Sequence, residues 1–106
     1  MLCAVDALII DKEGNALFTK PLNFSSPGDG QQMINLYLKQ HGMGVQNSTT
    51  YFRSVADFAW FAGGVHSRDR LAAGDGGRAL MVITKGNLGI GTTQPSQRLE
   101  VAGVMA

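Results

Sequence analysis

The sequence predicts an all-β protein built from short strands and glycine-rich turns. Three observations indicate this class. Fourteen glycines and three prolines divide the 106 residues into short segments; these segments are apolar or alternate with the two-residue period of a strand; and no long segment has the apolar spacing of an amphipathic helix. The length corresponds to one small domain. We expect a single β-rich module over residues 1–106, with an N-terminal hairpin and loop (1–30), a central β region (31–86) and a C-terminal segment (87–106).

The N-terminal part predicts a β-hairpin followed by a loop. Residues 2–10 are apolar with one exception, which is typical of a strand that is covered on both sides. Residues 11–15, Asp-Lys-Glu-Gly-Asn, have the composition of a turn. Residues 16–20 then predict the returning strand, which Pro21 ends. Residues 25–30 are rich in serine, proline and glycine and predict a loop.

Residues 31–40 have an ambiguous pattern. Ile34, Leu36 and Leu38 recur at every second position, which is the period of a half-buried strand. A helical face that includes Met33 and Leu38 fits the same residues, and no helix breaker lies between them. The strand is favoured because the flanking residues are rich in glycine and the neighbouring segments all predict strands.

The rest of the central region predicts further strands around one long loop. Residues 49–54 and 57–62 have strong strand propensity, and a pair of glycines at 63–64 ends the second of them. Residues 65–77 are the most polar stretch and predict a surface loop. Residues 79–84 predict a compact apolar strand.

The C-terminal segment alternates turns with short extended pieces. Residues 85–87 predict a turn and residues 88–91 a short extended segment. Residues 92–96 contain a proline and predict another turn, and residues 98–102 predict the last strand.

Charge and hydropathy exclude several kinds of partner. Nine Lys and Arg against eight Asp and Glu give a net charge of +1, so there is no electrostatic case for a nucleic acid or an anionic membrane as partner. No apolar run approaches the ~20 residues of a membrane-spanning helix. Residues 2–10 lack the basic flank of a signal peptide. We therefore expect neither nucleic-acid binding nor membrane insertion.

No catalytic residue, cofactor or metal site is predicted. The glycine-rich residues 86–93 lack the following helix and the lysine of a phosphate-binding loop. Ser67 and His66 do not form a nucleophile–base pair, because adjacent residues of an extended loop point to opposite sides. His41 and His66 are the only histidines and Cys3 is the only cysteine, which leaves no recognisable spacing of metal ligands and no internal disulfide.

One segment resembles a known family. Residues 87–101 read Asn-Leu-Gly-Ile-Gly-Thr-Thr-Gln-Pro-Ser-Gln-Arg-Leu-Glu-Val. They resemble the G-N-V-G-I-G-T-T-x-P-x-x-x-L-x-V segment of bacteriophage tail-fibre proteins and related bacterial fibre-like proteins. Parts of the central region are similar to a module that precedes this segment in such proteins, so that the resemblance covers roughly residues 34–101. The similar upstream parts are residues 34–36, 42–46, 51–54, 57–61, 63–67 and 74–77.

The resemblance implies a fibre module in which three copies lie side by side or intertwine, located in a virion or a phage-tail-like particle. Strands that are apolar on both faces agree with this, because a chain of this size cannot cover both faces by itself. In a trimer the apolar side chains of the C-terminal segment would pack at the axis, and its glycines would let the backbones approach closely. The residues expected at the trimer axis are Leu88, Gly89, Ile90, Gly91, Leu99 and Val101.

If the module binds a ligand, the polar loop 65–77 and the aromatic residues before it are the expected place. The loop side chains offer donors and acceptors for sugar hydroxyls or acidic sugars, and aromatic rings stack on sugar rings. Alternation puts Phe58 and Trp60 on one face, which we expect to be core, and Phe61 on the other. The candidate ligand-binding residues are Trp60, Phe61, His66, Arg68, Asp69 and Arg70.

The sequence therefore favours a non-enzymatic structural or receptor-binding module of a phage-tail-fibre-like assembly. Its expected partners are further copies of the same chain, with a host-surface glycan as a candidate ligand. The alternative is a stand-alone carbohydrate-binding domain, in which the aromatic residues and the polar loop form a lectin-like pocket. A small hydrolase is a third class, which lacks a pattern of nucleophile, base and orienting residue.

Overall fold

All regular structure in this protein is β-strand. The computed structural model describes residues 8–24, 28 and 30–103, of which 46 % lie in strands and none in a helix. The predicted all-β class is therefore confirmed. The strands form one two-stranded, one three-stranded and one four-stranded sheet. Their bounds are β1 Leu8–Ile10, β2 Ala16–Phe18, β3 Gln32–Tyr37, β4 His41–Gln46, β5 Thr49–Arg53, β6 Phe58–Ala62, β7 Arg78–Thr84, β8 Asn87–Ile90 and β9 Leu99–Val101.

The first sheet is the predicted N-terminal hairpin of β1 and β2. In its turn the Asp11 carboxylate accepts hydrogen bonds from the backbone N–H groups of Asn15 (2.8 Å) and Glu13 (3.0 Å). The backbone hydrogen bond from Asn15 is the main reason that the pKa of Asp11 lies below its ordinary value. β2 ends two residues earlier than predicted. The predicted strand residues 2–7 and most of the predicted loop 25–30 lie outside the described residues.

The second sheet is an antiparallel meander of β3, β4 and β5. It confirms the strand interpretation of residues 31–40, while β4 was not predicted because Gly42 and Gly44 lower the strand propensity of that segment. Packing requires both glycines. A Cβ at Gly42 would collide with the backbone carbonyl oxygen of Ile34, and one at Gly44 would lie 2.5 Å from the backbone carbonyl oxygen of Gln31.

Polar side chains cover the glycine face of the second sheet. Arg53 Nε donates to Gln32 Oε1 (3.1 Å), and Gln32 Nε2 donates to Asn35 Oδ1 (2.7 Å). The guanidinium of Arg53 also lies 4.9 Å from the ring centroid of Tyr51. The residue pair Met43 and Phe52 belongs to the other face, so this sheet is polar on one side and apolar on the other.

The third sheet has the order β6-β7-β8-β9, and β8 and β9 run parallel. It confirms strands in the predicted segments 57–62, 79–84, 88–91 and 98–102. β7 and β8 are joined by a two-residue turn in which Lys85 has φ +52° and Gly86 has φ +80°. Positive φ at both positions is the geometry of a tight hairpin turn that matches the twist of the strands.

The described part of a single copy has almost no hydrophobic core. Val82 is the only hydrophobic residue in the described part of the chain that is buried. No strand of one sheet comes within 8 Å, Cα to Cα, of a strand of another sheet. The radius of gyration is 18.3 Å, whereas a compact domain of this length has about 13 Å. The single chain is therefore elongated, with sheets that do not pack on one another.

Candidate functional site: an apolar face and a polar cleft

The register of the third sheet collects apolar side chains on one of its faces. Trp60 of β6 pairs with Met81 of β7, which pairs with Ile90 of β8. Ile90 in turn pairs with Val101 of β9. A second row consists of the residues two positions away on each strand, where Phe58 pairs with Ile83, Ile83 with Leu88 and Leu88 with Leu99. Paired residues point to the same side of a sheet. The two rows form what we call the apolar face: Phe58, Trp60, Met81, Ile83, Leu88, Ile90, Leu99 and Val101.

The described part of the chain leaves the apolar face uncovered. Trp60, Ile90 and Leu99 are 48 %, 40 % and 52 % exposed, and the other five members are half-buried. The expectation that Trp60 belongs to a core is thus wrong for a single copy, because no second layer packs against it. Phe61 is 44 % exposed as well, next to a bulge that shifts the register between Trp60 and Phe61.

The apolar face continues toward the second sheet. Phe52 of β5 is 66 % exposed, and it lines a cavity of about 460 Å³ together with four residues of the third sheet. Those four are Phe58, Ala59, Trp60 and Ile83. The uncovered apolar surface therefore extends over two of the three sheets.

The residues predicted at the trimer axis divide into two groups. The four apolar residues of this predicted set lie together on the apolar face, where Leu88 pairs with Leu99. Gly89 does not belong to this face, because it lies between two of its members in β8 and is buried on the opposite side. Gly91 follows β8 and has φ +78°.

Gly89 is buried beneath the connection between β8 and β9. Because these two strands are parallel neighbours, residues 91–98 must cross over the sheet. A Cβ on Gly89 would lie 2.6 Å from the carbonyl oxygen of Thr92 and 3.2 Å from Cγ of Pro95. Pro95 is buried, and the side chain of Asn87 donates a hydrogen bond to its carbonyl (3.2 Å). The glycine-rich motif thus builds a tight crossover, which supports the structural interpretation over a phosphate-binding loop.

Arg70 ties the long loop to the other face of the third sheet. Its Nε and Nη2 donate to the two carboxylate oxygens of Asp57 at 2.5 and 2.9 Å. The hydroxyl of Thr84 donates to the same carboxylate at 2.8 Å. The side chain of Asp57 is 12 % exposed and that of Arg70 is 65 % exposed. The hydrogen bonds from Arg70 lower the pKa of Asp57 more than burial raises it, and the same contact raises the pKa of Arg70.

The other residues of the predicted ligand site remain apart from one another. The loop begins after Ala62 and ends before Arg78, two residues that pair in the sheet. It contains two turns, in which the N–H of Ala72 donates to the carbonyl of Asp69 (3.3 Å) and the N–H of Gly77 donates to the carbonyl of Gly74 (3.0 Å). His66, Arg68 and Asp69 are exposed in this loop. Arg70 binds on the side of the sheet opposite to Trp60. The six predicted residues therefore do not form one pocket.

The structure instead brings Arg70 beside the crossover of the glycine-rich motif. A cavity of about 430 Å³ lies between the long loop and residues 93–96, and we call it the polar cleft. Sequence reasoning missed most of its members, because no local pattern relates residues so far apart in the chain. The polar cleft is lined by Arg70, Leu71, Thr84, Lys85, Thr93, Gln94, Pro95 and Ser96.

Within the described ranges, no three residues among His, Cys, Asp and Glu come together as metal ligands. The ring of His41 contacts that of Tyr37 edge to face, with centroids 6.2 Å apart. No helix capable of crossing a membrane occurs in the part of the chain that the structure describes. Comparisons with protein-family models, curated proteins and solved structures found no match to this chain.

Proposed function

We propose that this chain is a non-enzymatic structural module of a phage-tail-fibre-like assembly, and that it works as a homotrimer. The observation that carries the proposal is the apolar face, to which each of four strands contributes two side chains that nothing in the described chain covers. Monomeric proteins rarely leave such a surface in water.

The small amount of buried apolar surface supports the view that the chain folds only when copies associate. Folding must offset a loss of conformational entropy of roughly 1–2 kcal/mol per residue, and burial of apolar surface is the main term that does so. Among the described residues, Val82 is the one fully buried side chain, so this part of a single copy provides little of this burial. Packing the apolar faces of several copies against one another would supply it.

Further copies of the same chain are the partner that fits best. They are present wherever the protein is made, and closed symmetric assemblies are the usual form of such association. The eight side chains of the apolar face are all uncharged, so identical faces can meet without burying a charge. The number three comes from the resemblance of residues 87–101 to tail-fibre segments, as does the proposed location in a virion or phage-tail-like particle.

A pair of matched substitutions tests this function. Ile90→Asp places a carboxylate on the apolar face, whereas Val65→Asp places one on a 63 % exposed valine of the long loop. We expect Ile90→Asp to yield monomeric or unfolded protein by sedimentation equilibrium and circular dichroism, and Val65→Asp to remain a protease-resistant trimer. An Ile90→Asp variant that keeps the mass and protease resistance of the wild type would overturn the proposal.

A further inference from the structure

We propose that the polar cleft binds an acidic sugar, that is, a hydroxyl-rich ligand that carries one carboxylate or sulfate group. All of the residues that line it come from one chain. The inference therefore goes beyond self-association through the apolar face, and either proposal can fail without the other.

Two cations supply the recognition of the acidic group. A guanidinium has five N–H groups, and Arg70 uses two of them on Asp57, which leaves three for a ligand. Lys85 lies close enough to Asp57 to help lower the pKa of that carboxylate, yet it forms no salt bridge with any described residue. Charge-assisted hydrogen bonds from such groups to carboxylates or sulfates are among the strongest in proteins.

The two carboxylates near the polar cleft, Asp57 and Glu100, already accept hydrogen bonds from protein groups. Asp57 accepts hydrogen bonds from Arg70 and Thr84. Glu100 accepts hydrogen bonds from the backbone N–H and the hydroxyl of Ser96, at 2.8 and 2.9 Å. Neither carboxylate lines the cleft itself. The lining is consequently rich in donors, which favours a ligand rich in acceptors.

The remaining lining suits a sugar ring. The hydroxyl of Thr93 and the amide of Gln94 line the cleft, and their side chains form no hydrogen bond as donors within the described part of the chain. They can therefore pair with ligand hydroxyls. Leu71 and Pro95 add apolar surface for the C–H groups of the ring. The volume of about 430 Å³ lies within the usual range of small-ligand sites.

The polar cleft is also held in shape by the fold. Lys85 belongs to the two-residue turn between β7 and β8. Pro95 is buried within the crossover, where it lies over Gly89. Arg70 is fixed by its two hydrogen bonds to Asp57. Groups placed on rigid elements lose little freedom when a ligand binds. This preorganisation distinguishes the cleft from the exposed part of the long loop.

Titration of the ¹⁵N-labelled full chain by NMR tests the proposal. The probes are D-glucuronate, galactose 6-sulfate and neutral glucose, all at the same ionic strength. We expect saturable shifts of the amides of Lys85, Thr93 and Gln94 with at least one acidic sugar, and which of the two binds identifies the acidic group. Absence of saturable shifts with both acidic sugars, or equal affinity for glucose, would contradict the proposal.

A matched pair of lysine variants shows whether binding uses the cleft. Lys85→Asn removes the charge with a residue that tolerates a positive φ, and Lys39→Asn removes a charge from the exposed turn before β4. We expect Lys85→Asn to weaken binding of the acidic sugar about tenfold or more, and Lys39→Asn to leave it unchanged. Equal affinities of both variants and the wild type would place the binding site elsewhere.

Discussion

Arg70 donates two hydrogen bonds to the carboxylate of Asp57, which lies 13 positions earlier, immediately before β6. The contact joins the middle of the long loop to the third sheet. From the sequence alone, Arg70 is expected to be a solvated charge that affects ligand binding and leaves folding nearly unchanged. The bidentate geometry and the small exposure of Asp57 give it a structural role as well.

Arg70→Ala is therefore expected to destabilise the protein. Loss of its hydrogen bonds leaves a largely buried carboxylate with Thr84 as its remaining partner. The expected loss in free energy of unfolding is measurable but smaller than for a fully buried pair, because Arg70 is partly solvated. Chemical denaturation measures it. Arg68→Ala is the control, since Arg68 is exposed in the same loop, and equal stability of the two variants would contradict the role assigned to Arg70.

Acid should weaken the fold through the same carboxylate. The pKa of Asp57 in the folded protein lies below its ordinary value of 3.8, so the unfolded chain takes up a proton first as the pH falls. The stabilisation is complete above pH 3.8 or so and is lost as the pH drops from there through the lower pKa of the folded state. Unfolding curves at several pH values should show this loss. In Asp57→Asn the free energy of unfolding should fall less steeply with pH below pH 4. An unchanged slope would show that Asp57 is not the source of the acid sensitivity.

The two glycines of the crossover should respond differently to substitution. Gly89→Val would drive a side chain into Thr92 and Pro95, and we expect it to prevent folding or assembly. A Cβ on Gly91 would make only ordinary van der Waals contact with Ala102, but its φ is +78°. Gly91→Val is therefore strained by its backbone, by roughly 1–2 kcal/mol. Gly91→Asn should be milder, because asparagine tolerates this conformation. Thermal melting that ranks Gly91→Asn as more damaging than Gly89→Val would refute this account of the crossover.

The single tryptophan reports on the apolar face. Trp60 is 48 % exposed in one copy and would be buried when apolar faces meet. Its fluorescence emission should therefore be blue-shifted in the assembled protein and move to the red in denaturant or in Ile90→Asp. Val65→Asp serves as the control with unchanged emission. An emission maximum typical of exposed tryptophan in concentrated wild-type protein would show that the face stays in water.

Local chemistry explains which elements the sequence predicts correctly. Turns such as residues 11–15 and 85–87 carry residues that suit their backbone, so the hairpins around them follow from local sequence. The strand β4 was missed because Gly42 and Gly44 oppose strand propensity. Both are required because a Cβ would collide with the backbone carbonyl oxygens of Ile34 and Gln31 in the neighbouring segment. That requirement becomes visible only once the strands have paired.

In the candidate sites too, some features have a local sequence signal and others have none. Leu88, Ile90, Leu99 and Val101 share one face of the sheet because side chains two residues apart in a strand point to the same side. The parallel pairing of β8 with β9 has no such local signal, and neither does the approach of Arg70 to residues 93–96 across the polar cleft. Both result from the path of the chain in space rather than from a pattern along it.

The mass of the wild-type protein in solution tests the central claim most directly. One chain weighs 11.3 kDa, and light scattering coupled to size exclusion at tens of micromolar should give three times that value. The trimer should also resist dilution, because separated copies would expose their apolar faces and lose their fold. A folded species of 11.3 kDa with a stable, cooperative unfolding transition would contradict the account.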